Sequence, residues 1–527
     1  MTVMKSLIYT LGLATAFTAC TRTSDPVTTL IHDEMTIAEL HALYENGSLS
    51  STAAVEFYLD RIEAINGGDI DLNAVLALNE NALEDAQRLD SIYDATGEFA
   101  GPLHGVPVLL KDNIDYFGMP TTVGTNALRE NYPSESSPLA QQLINAGAIV
   151  LGKANLSELA NFHSTVSSSG WSPVGGQCKN PYDLSRNPCG SSSGSGAAVA
   201  ANLCMMAIGT ETNGSITCPS NNNGIVGLKP TVGLISRTGI FPISYTQDTG
   251  GPMARTVSDV AVSLGTMIGK DHRDLKTHQE DRRAQEDYTS FLNDQSLEGK
   301  RIGVYSSAMN DNFLLQAVWE DALVELQMQG AELVYLDDPI ADDATGPSYE
   351  VMFYEYRQGV NDYFANNPSA GIEDMWGLYR AIIEDSMEMA YHDHDLLRIS
   401  ENYTPEEKRE AYEAALERAR YLSQDRGIDR VMDSLALDAI VGPAGGPAWK
   451  TDYVNGDHFS VYSGNAWAIS GYPHIVVPMG QVYGLPVGLS IMGRKWDEGN
   501  LIGYAYDFEQ ATMARFTPQY LNATSPN

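Results

Sequence analysis

The stretch NPCGSSSGSGAAVAANLC, residues 187–204, constrains this chain more than any other. Glycine and serine at this density usually make a soft linker. Here, however, the run leads straight into AAVAANLCMMAIG, small and apolar, which predicts a buried helix followed by a strand. Apolar segments on its far side do not leave a linker much purpose. A backbone-dense loop packed inside the fold is the other reading, and the remainder of the chain decides between them.

With 527 residues, 43% of them hydrophobic, the chain can bury a large core. In MTIAELHALYENGSLSSTAAVEFYLDRIEAIN, the residues Ile37, Leu40 and Leu43, then Val55, Tyr58, Leu59 and Ile62, recur at helical spacing. GPLHGVPVLLKDNID carries a continuous apolar run from Val106 to Leu110 that ends at Lys111. Such a run predicts a strand buried on both faces, with a lysine at its C-terminal edge. QLINAGAIVLGKANLSELA reads as helix, strand and loop, and GAELVYLD and DAIVGPAGGP as further short strands. Alternating strands and helices predict an α/β fold in one large domain, residues 35–520. Its sheet should be large, mixed or mostly parallel, with helices on both faces. Residues 345–432, rich in charge and tyrosine at helical spacing, predict a helical subregion packed over that sheet.

The N-terminus, MTVMKSLIYTLGLATAFTACTRTSD, has a basic start and a short apolar stretch, which predicts a signal peptide over residues 1–19 and a tether over 20–34. FTAC resembles a bacterial lipobox with Cys20 as the lipidated residue, although Phe17 stands where leucine is usual; plain secretion is the other reading. The mature chain is thus expected outside the cytoplasm, periplasmic, lipid-anchored to a membrane or secreted. A net charge of −36, from 32 basic and 68 acidic residues, argues against nucleic acid as a partner. Cys178, Cys189, Cys204 and Cys218 fall in one region without zinc-ligand spacing. Export permits disulfides, and the sequence does not choose between bridges and buried thiols.

Three motifs bear on chemistry. GSSSG, Gly190 to Gly194, matches a nucleophile elbow centred on Ser192, but the residues before it form loop where that motif needs a strand. HDHD, His392 to Asp395, lies in a charge-rich helical stretch and reads as solvated surface rather than a metal site. Asn213-Gly214 predicts a tight turn between apolar segments, with Ser215 directly after it. Converging N–H groups at such a turn would suit an oxyanion.

Taken together, GPLHGVPVLLKDNID, NPYDLSRNPCGSSSGS, GTETNGSITCP, GIVGLKPTVGLISRTG, DTGGPMARTVSD and SGYPHIVVPMGQVYGLPVGLSIMGR resemble the amidase signature family, over roughly residues 36–515. The resemblance implies the amidase signature fold, amide hydrolysis without a cofactor and a Ser–cis-Ser–Lys triad. Lys111 matches the base. Ser191, after a cis Gly190-Ser191 peptide, matches the bridging serine, with Ser192 beside it. Ser215, 24 residues beyond Ser191, matches the nucleophile. The backbone N–H groups of Thr212, Asn213, Gly214 and Ser215 match the oxyanion hole. A lysine base must be neutral, and burial at the end of a strand can lower its pKa by about three units.

The chain departs from the family pattern in three places. Asn213-Gly214 replaces the usual two glycines, Thr217 replaces an arginine two residues after the nucleophile, and the serine run opens on Cys189. ETNGSITCP, PISYTQDTGGPMAR and GGPAWKTDYVNGD look most like the secreted peptide amidases, which implies C-terminal peptide amides as substrates. Other acyl amides and aryl anilides are the alternatives within the family. Export and charge argue against a tRNA-dependent role, and a solute-binding lipoprotein would have no reason to retain Lys111, Ser191 and Ser215 together. The 345–432 helices and the 441–460 loop are expected to form the wall that selects substrate.

Overall fold

The structure is a computed structural model and describes residues 30–522, apart from 307, 308, 310 and 337–339. The predicted signal peptide and Cys20 lie outside the described residues. Along the chain follow strands β1 (Val75–Leu78), β2 (Pro107–Lys111), β3 (Ile149–Ala154), β4 (Trp171–Ser172), β5 (Gly176–Gln177), β6 (Met206–Glu211) and β7 (Val226–Lys229). They continue with β8 (Thr249–Ala254), β9 (Arg301–Val304), β10 (Glu332–Tyr335), β11 (Ala439–Pro443), β12 (His474–Val482) and β13 (Leu485–Met492). All except the β4–β5 pair join one eleven-stranded sheet, ordered β1-β3-β2-β6-β8-β7-β12-β13-β11-β9-β10 and flanked by helices.

The sheet is mixed. Among the described residues β2–β3, β2–β6, β9–β10 and β9–β11 pair in parallel. The other six ladders are antiparallel, so mostly parallel pairing is not what forms. Connection length explains part of this. β12 and β13 are joined by Tyr483 and Gly484 alone, both with positive φ (51° and 77°). A two-residue turn of that kind can only return the chain antiparallel.

Parallel pairing persists where it positions the site. Val108 of β2 faces Met206 of β6 and Leu110 faces Ile208, so Lys111 and Glu211 leave the sheet at the same edge. That C-terminal edge is where α/β sheets place ligands.

The glycine–serine run is no linker. It enters helix Ser193–Ala200, in which every residue is buried. Ser193 Oγ donates to the Cys189 carbonyl (2.6 Å), Ser195 Oγ to that of Ile208 (3.1 Å) and Ser192 Oγ to that of Thr210 (3.1 Å). Serines here supply polar contacts without bulk, and glycine supplies proximity. A Cβ on Gly194 would lie 2.2 Å from the Ala74 carbonyl oxygen and 2.5 Å from the Asn155 nitrogen, both backbone.

The predicted helical subregion exists, with helices Thr345–Asn366, Met375–Glu384, Asp395–Glu401, Pro405–Ser423 and Asp429–Leu435. Its main apolar contacts are with loops at the sheet edge rather than the sheet face. Tyr356, Val360 and Leu378 share a second core with Val123, Leu159, Phe162 and Phe241. Gly194→Ala should therefore destabilise the fold by about 1–3 kcal/mol or more, read as a lower urea midpoint at unchanged slope.

Candidate active site

Lys111 ends β2 fully buried. Its Nζ donates to Ser191 Oγ (2.7 Å), Thr210 Oγ1 (2.9 Å) and the Thr210 carbonyl (3.2 Å). None of these partners is charged. Lys153, on neighbouring β3, is just as buried but pairs with Asp112 at 3.4 Å. Burial pushes the Lys111 ammonium down to about 7, against the upward pull of Glu211 and Asp248. Of these two buried lysines, Lys111 is the one built to be a neutral amine.

Ser191 follows a cis Gly190–Ser191 peptide and is completely buried. Its carbonyl accepts from Ser157 N (3.1 Å), and a Cβ on Gly190 would sit 2.2 Å from Ser157 Oγ. On the other side, Ser192 Oγ accepts from Thr210 N (3.2 Å) while Ser192 N donates to the Ser215 carbonyl (3.1 Å). Ser192 is thus a clasp between the two serine segments. Its hydroxyl is committed to backbone, which removes it as a nucleophile.

Ser215 stands at the turn after β6, with Gly214 at φ 85°. Among the described residues the N–H groups of Asn213, Gly214 and Ser215 donate to no protein acceptor, so they are available to an oxyanion. Two side chains fasten the turn. Glu211 Oε2 accepts from Ile216 N (2.8 Å), Thr217 N (2.9 Å) and Thr217 Oγ1 (3.2 Å), while Oε1 is buried without a partner. Thr217, at the position where the family usually has arginine, is held by Glu211 through both its N–H and its hydroxyl. Asp248 accepts from Thr212 Oγ1 (2.6 Å), and burial raises its carboxyl to about 6. Sequence reasoning passed over Glu211 and Asp248. The available signal was an acid in otherwise uncharged stretches, GTETNG and TQDTGG.

Ser191 and Ser215 line one small space with Thr210, Asn113 and Ala160. Beyond Ser215 it opens into a cleft of about 380 Å³. The expected wall is there in part: Thr345, Ser348, Tyr349 and Met352 from the helical subregion, and Asp457 and Phe459 from the loop. Tyr462, Asn465 and Ile469 extend it further along the chain than the sequence suggested. No histidine lines either space.

A disulfide joins Cys189, next to Gly190, to Cys218, three residues past Ser215, and so ties the two serine segments together. Cys178 and Cys204 are buried thiols. One expectation fails. His392 and His394 are buried rather than solvated, Asp395 is half-buried, and only Asp393 of HDHD is exposed.

A mixed sheet that gathers a neutral-prone lysine and two serines at one edge, with free N–H groups beside them, defines a class of hydrolase that works without histidine. The amidase profile matches residues 53–502. The chain is 43% identical to the peptide amidase PAM solved with the competitive inhibitor chymostatin, covering 92% of this chain and 99% of that one at a TM-score of 0.90. The native peptide amidase from Stenotrophomonas maltophilia is 42% identical, with 93% and 99% covered and a TM-score of 0.88. A probable amidase of Arabidopsis thaliana is 35% identical over 500 residues, 93% of this chain and 92% of the relative. The chain belongs to the amidase signature family and is an amidase.

Two outcomes follow from this geometry. A base is active when neutral, so kcat/KM should be level above about 7 and fall about tenfold per pH unit below it. A rate profile flat through that range would rule out Lys111 as the titrating base. Replacing Cys189 and Cys218 together by serine should cost about 2–4 kcal/mol in chemical denaturation and lower kcat, because both serine segments lose their tie.

Proposed function

We propose that this amidase removes the terminal carboxamide of peptides, giving the free acid and ammonia. The observation that carries this reading is the charge of the cleft. Among its lining residues Asp457 is the one acidic side chain, and no lysine or arginine faces the space. A peptide ending in a carboxylate finds no cation there and meets Asp457, whereas a neutral carboxamide meets no such penalty. The acid formed in the reaction is disfavoured in the same way, which speeds its departure. Likeness to the peptide amidases supports the same substrate class.

Chemically, Ser215 Oγ attacks the carboxamide carbon and its proton passes to Ser191 Oγ. Ser191 in turn gives its own proton to Lys111 Nζ, 2.7 Å away. Charge developing on the carbonyl oxygen is taken by the N–H groups of Thr212, Asn213, Gly214 and Ser215. The proton returns through Ser191 to the leaving nitrogen, ammonia departs, and water hydrolyses the acyl-enzyme by the same relay. Ser192 and Gly190 shape this relay without joining it.

Ammonia release from peptide amides, simple acyl amides and aryl anilides tests the reading directly. Peptide amides should be cleaved fastest, and Ser215→Ala should lower the rate by at least about 10⁴-fold. Faster turnover of anilides would move the substrate assignment to that class. Activity retained in Ser215→Ala would remove the nucleophile assignment, and inactivity across the panel would favour a binding role.

A further inference from the structure

We infer a divalent transition-metal site, best suited to Zn²⁺, formed by Glu158, His163 and His394 behind the active-site wall. Among the described residues, the ligand atoms of these three side chains lie within 4.8 Å of one another, and all three side chains are buried. His163 Nε2 is 3.8 Å from Glu158 Oε2, and His394 Nε2 is 2.9 Å from Glu158 Oε1. A tetrahedral zinc with nitrogen and oxygen ligands places neighbouring ligand atoms roughly 3.4 Å apart, and the two contacts, made to different oxygens of Glu158, fall on either side of that spacing. Imidazole and carboxylate are the donor set zinc prefers outside thiolate sites.

Ligand chemistry is already prepared. His163 Nδ1 donates to the Glu158 carbonyl at 2.9 Å, and a carbonyl can only accept. The proton therefore sits on Nδ1 and the Nε2 lone pair points free, the arrangement that backbone hydrogen bonds impose on metal-bound histidines. His163 Nε2, Glu158 Oε2 and His394 Nδ1 are all buried without a hydrogen-bond partner.

A second carboxyl lies beside the first. Glu388 faces Glu158, and its Oε1 accepts from Thr125 Oγ1 and Asn126 N, both at 2.6 Å. Two carboxyl groups thus meet in the interior, and among the described residues neither has a lysine or arginine partner. Glu388 would stand beside the ion as an outer carboxyl. The site's place in the fold is structural. Glu158 and His163 bracket a left-handed turn, Leu159, Ala160 and Asn161 at φ 47°, 53° and 71°. Ala160 lines the space shared by Ser191 and Ser215. His394 precedes helix Asp395–Glu401, so the ion would pin the helical subregion to that wall.

Metal binding, not turnover, reads this site, so its failure leaves the amidase reading untouched. Full-length protein stripped with chelator should take up one Zn²⁺ per chain by calorimetry and metal analysis, and one Co²⁺ with visible tetrahedral absorption bands. His163→Gln and His394→Gln should each weaken uptake by on the order of 100-fold or more and abolish the cobalt bands. Glutamine at 394 can still donate to Glu158, so that variant should fold if the other does not. In the parent chain zinc should also slow amide exchange over residues 158–163. No stoichiometric uptake, uptake unchanged in the folded variants, or unaltered exchange in that segment would overturn the site.

Discussion

An amine held in the interior with no counter-ion is the constraint on which the rest of this structure depends. Charging Lys111 where it lies would cost several kcal/mol, because its contacts are two hydroxyls and one carbonyl. Lys153 shows the alternative on the adjacent strand. Asp112 stands beside it, and that lysine braces the segment after β2 by donating to the Ile114 carbonyl at 2.7 Å. Of these two neighbours, only Lys153 has an acid within ion-pair distance.

What surrounds Lys111 exists to bring two hydroxyls to it and hold them there. Parallel β2 and β6 deliver Lys111 and Thr210 to one edge, and the small residues of helix Ser193–Ala200 let its first turn approach β3 closely. Ser192 clasps the Ser191 loop to β6, the disulfide ties it to the helix after Ser215, and Glu211 gathers that helix's first N–H groups. Each fastening acts on backbone, which moves less than a side chain. Reacting groups kept within a few tenths of an ångström need supports of this kind.

Much of the site was legible because its signals are local. A run of apolar residues ending in lysine reads as a buried strand with a polar end, and the apolar segments that follow the glycine–serine run weigh against a linker. Strands at Ile149–Ala154, Glu332–Tyr335 and Ala439–Pro443 were readable for the same reason. HDHD reads as surface from its charge-rich helical surroundings, yet such a stretch need not face water throughout. The residues just before helix Asp395–Glu401 are not helical, and among them His392 and His394 turn inward while Asp393 turns out. Alternation with a period of two was the overlooked sign.

The sequence by itself determined which segments must be buried, where the chain must turn, and which lysine and serines lie in stretches of the amidase type. These are matters of local polarity and backbone freedom. Only the tertiary structure decided that the sheet is mixed, that Cys189 bonds Cys218, that Lys111 and not Lys153 lacks an acid, and that Glu158, His163 and His394 meet. Each of those depends on side chains from distant segments sharing one small volume without water. Proximity of that kind sets whether a charge survives, whether a thiol finds a partner and whether an imidazole keeps a free lone pair, and no local pattern encodes it.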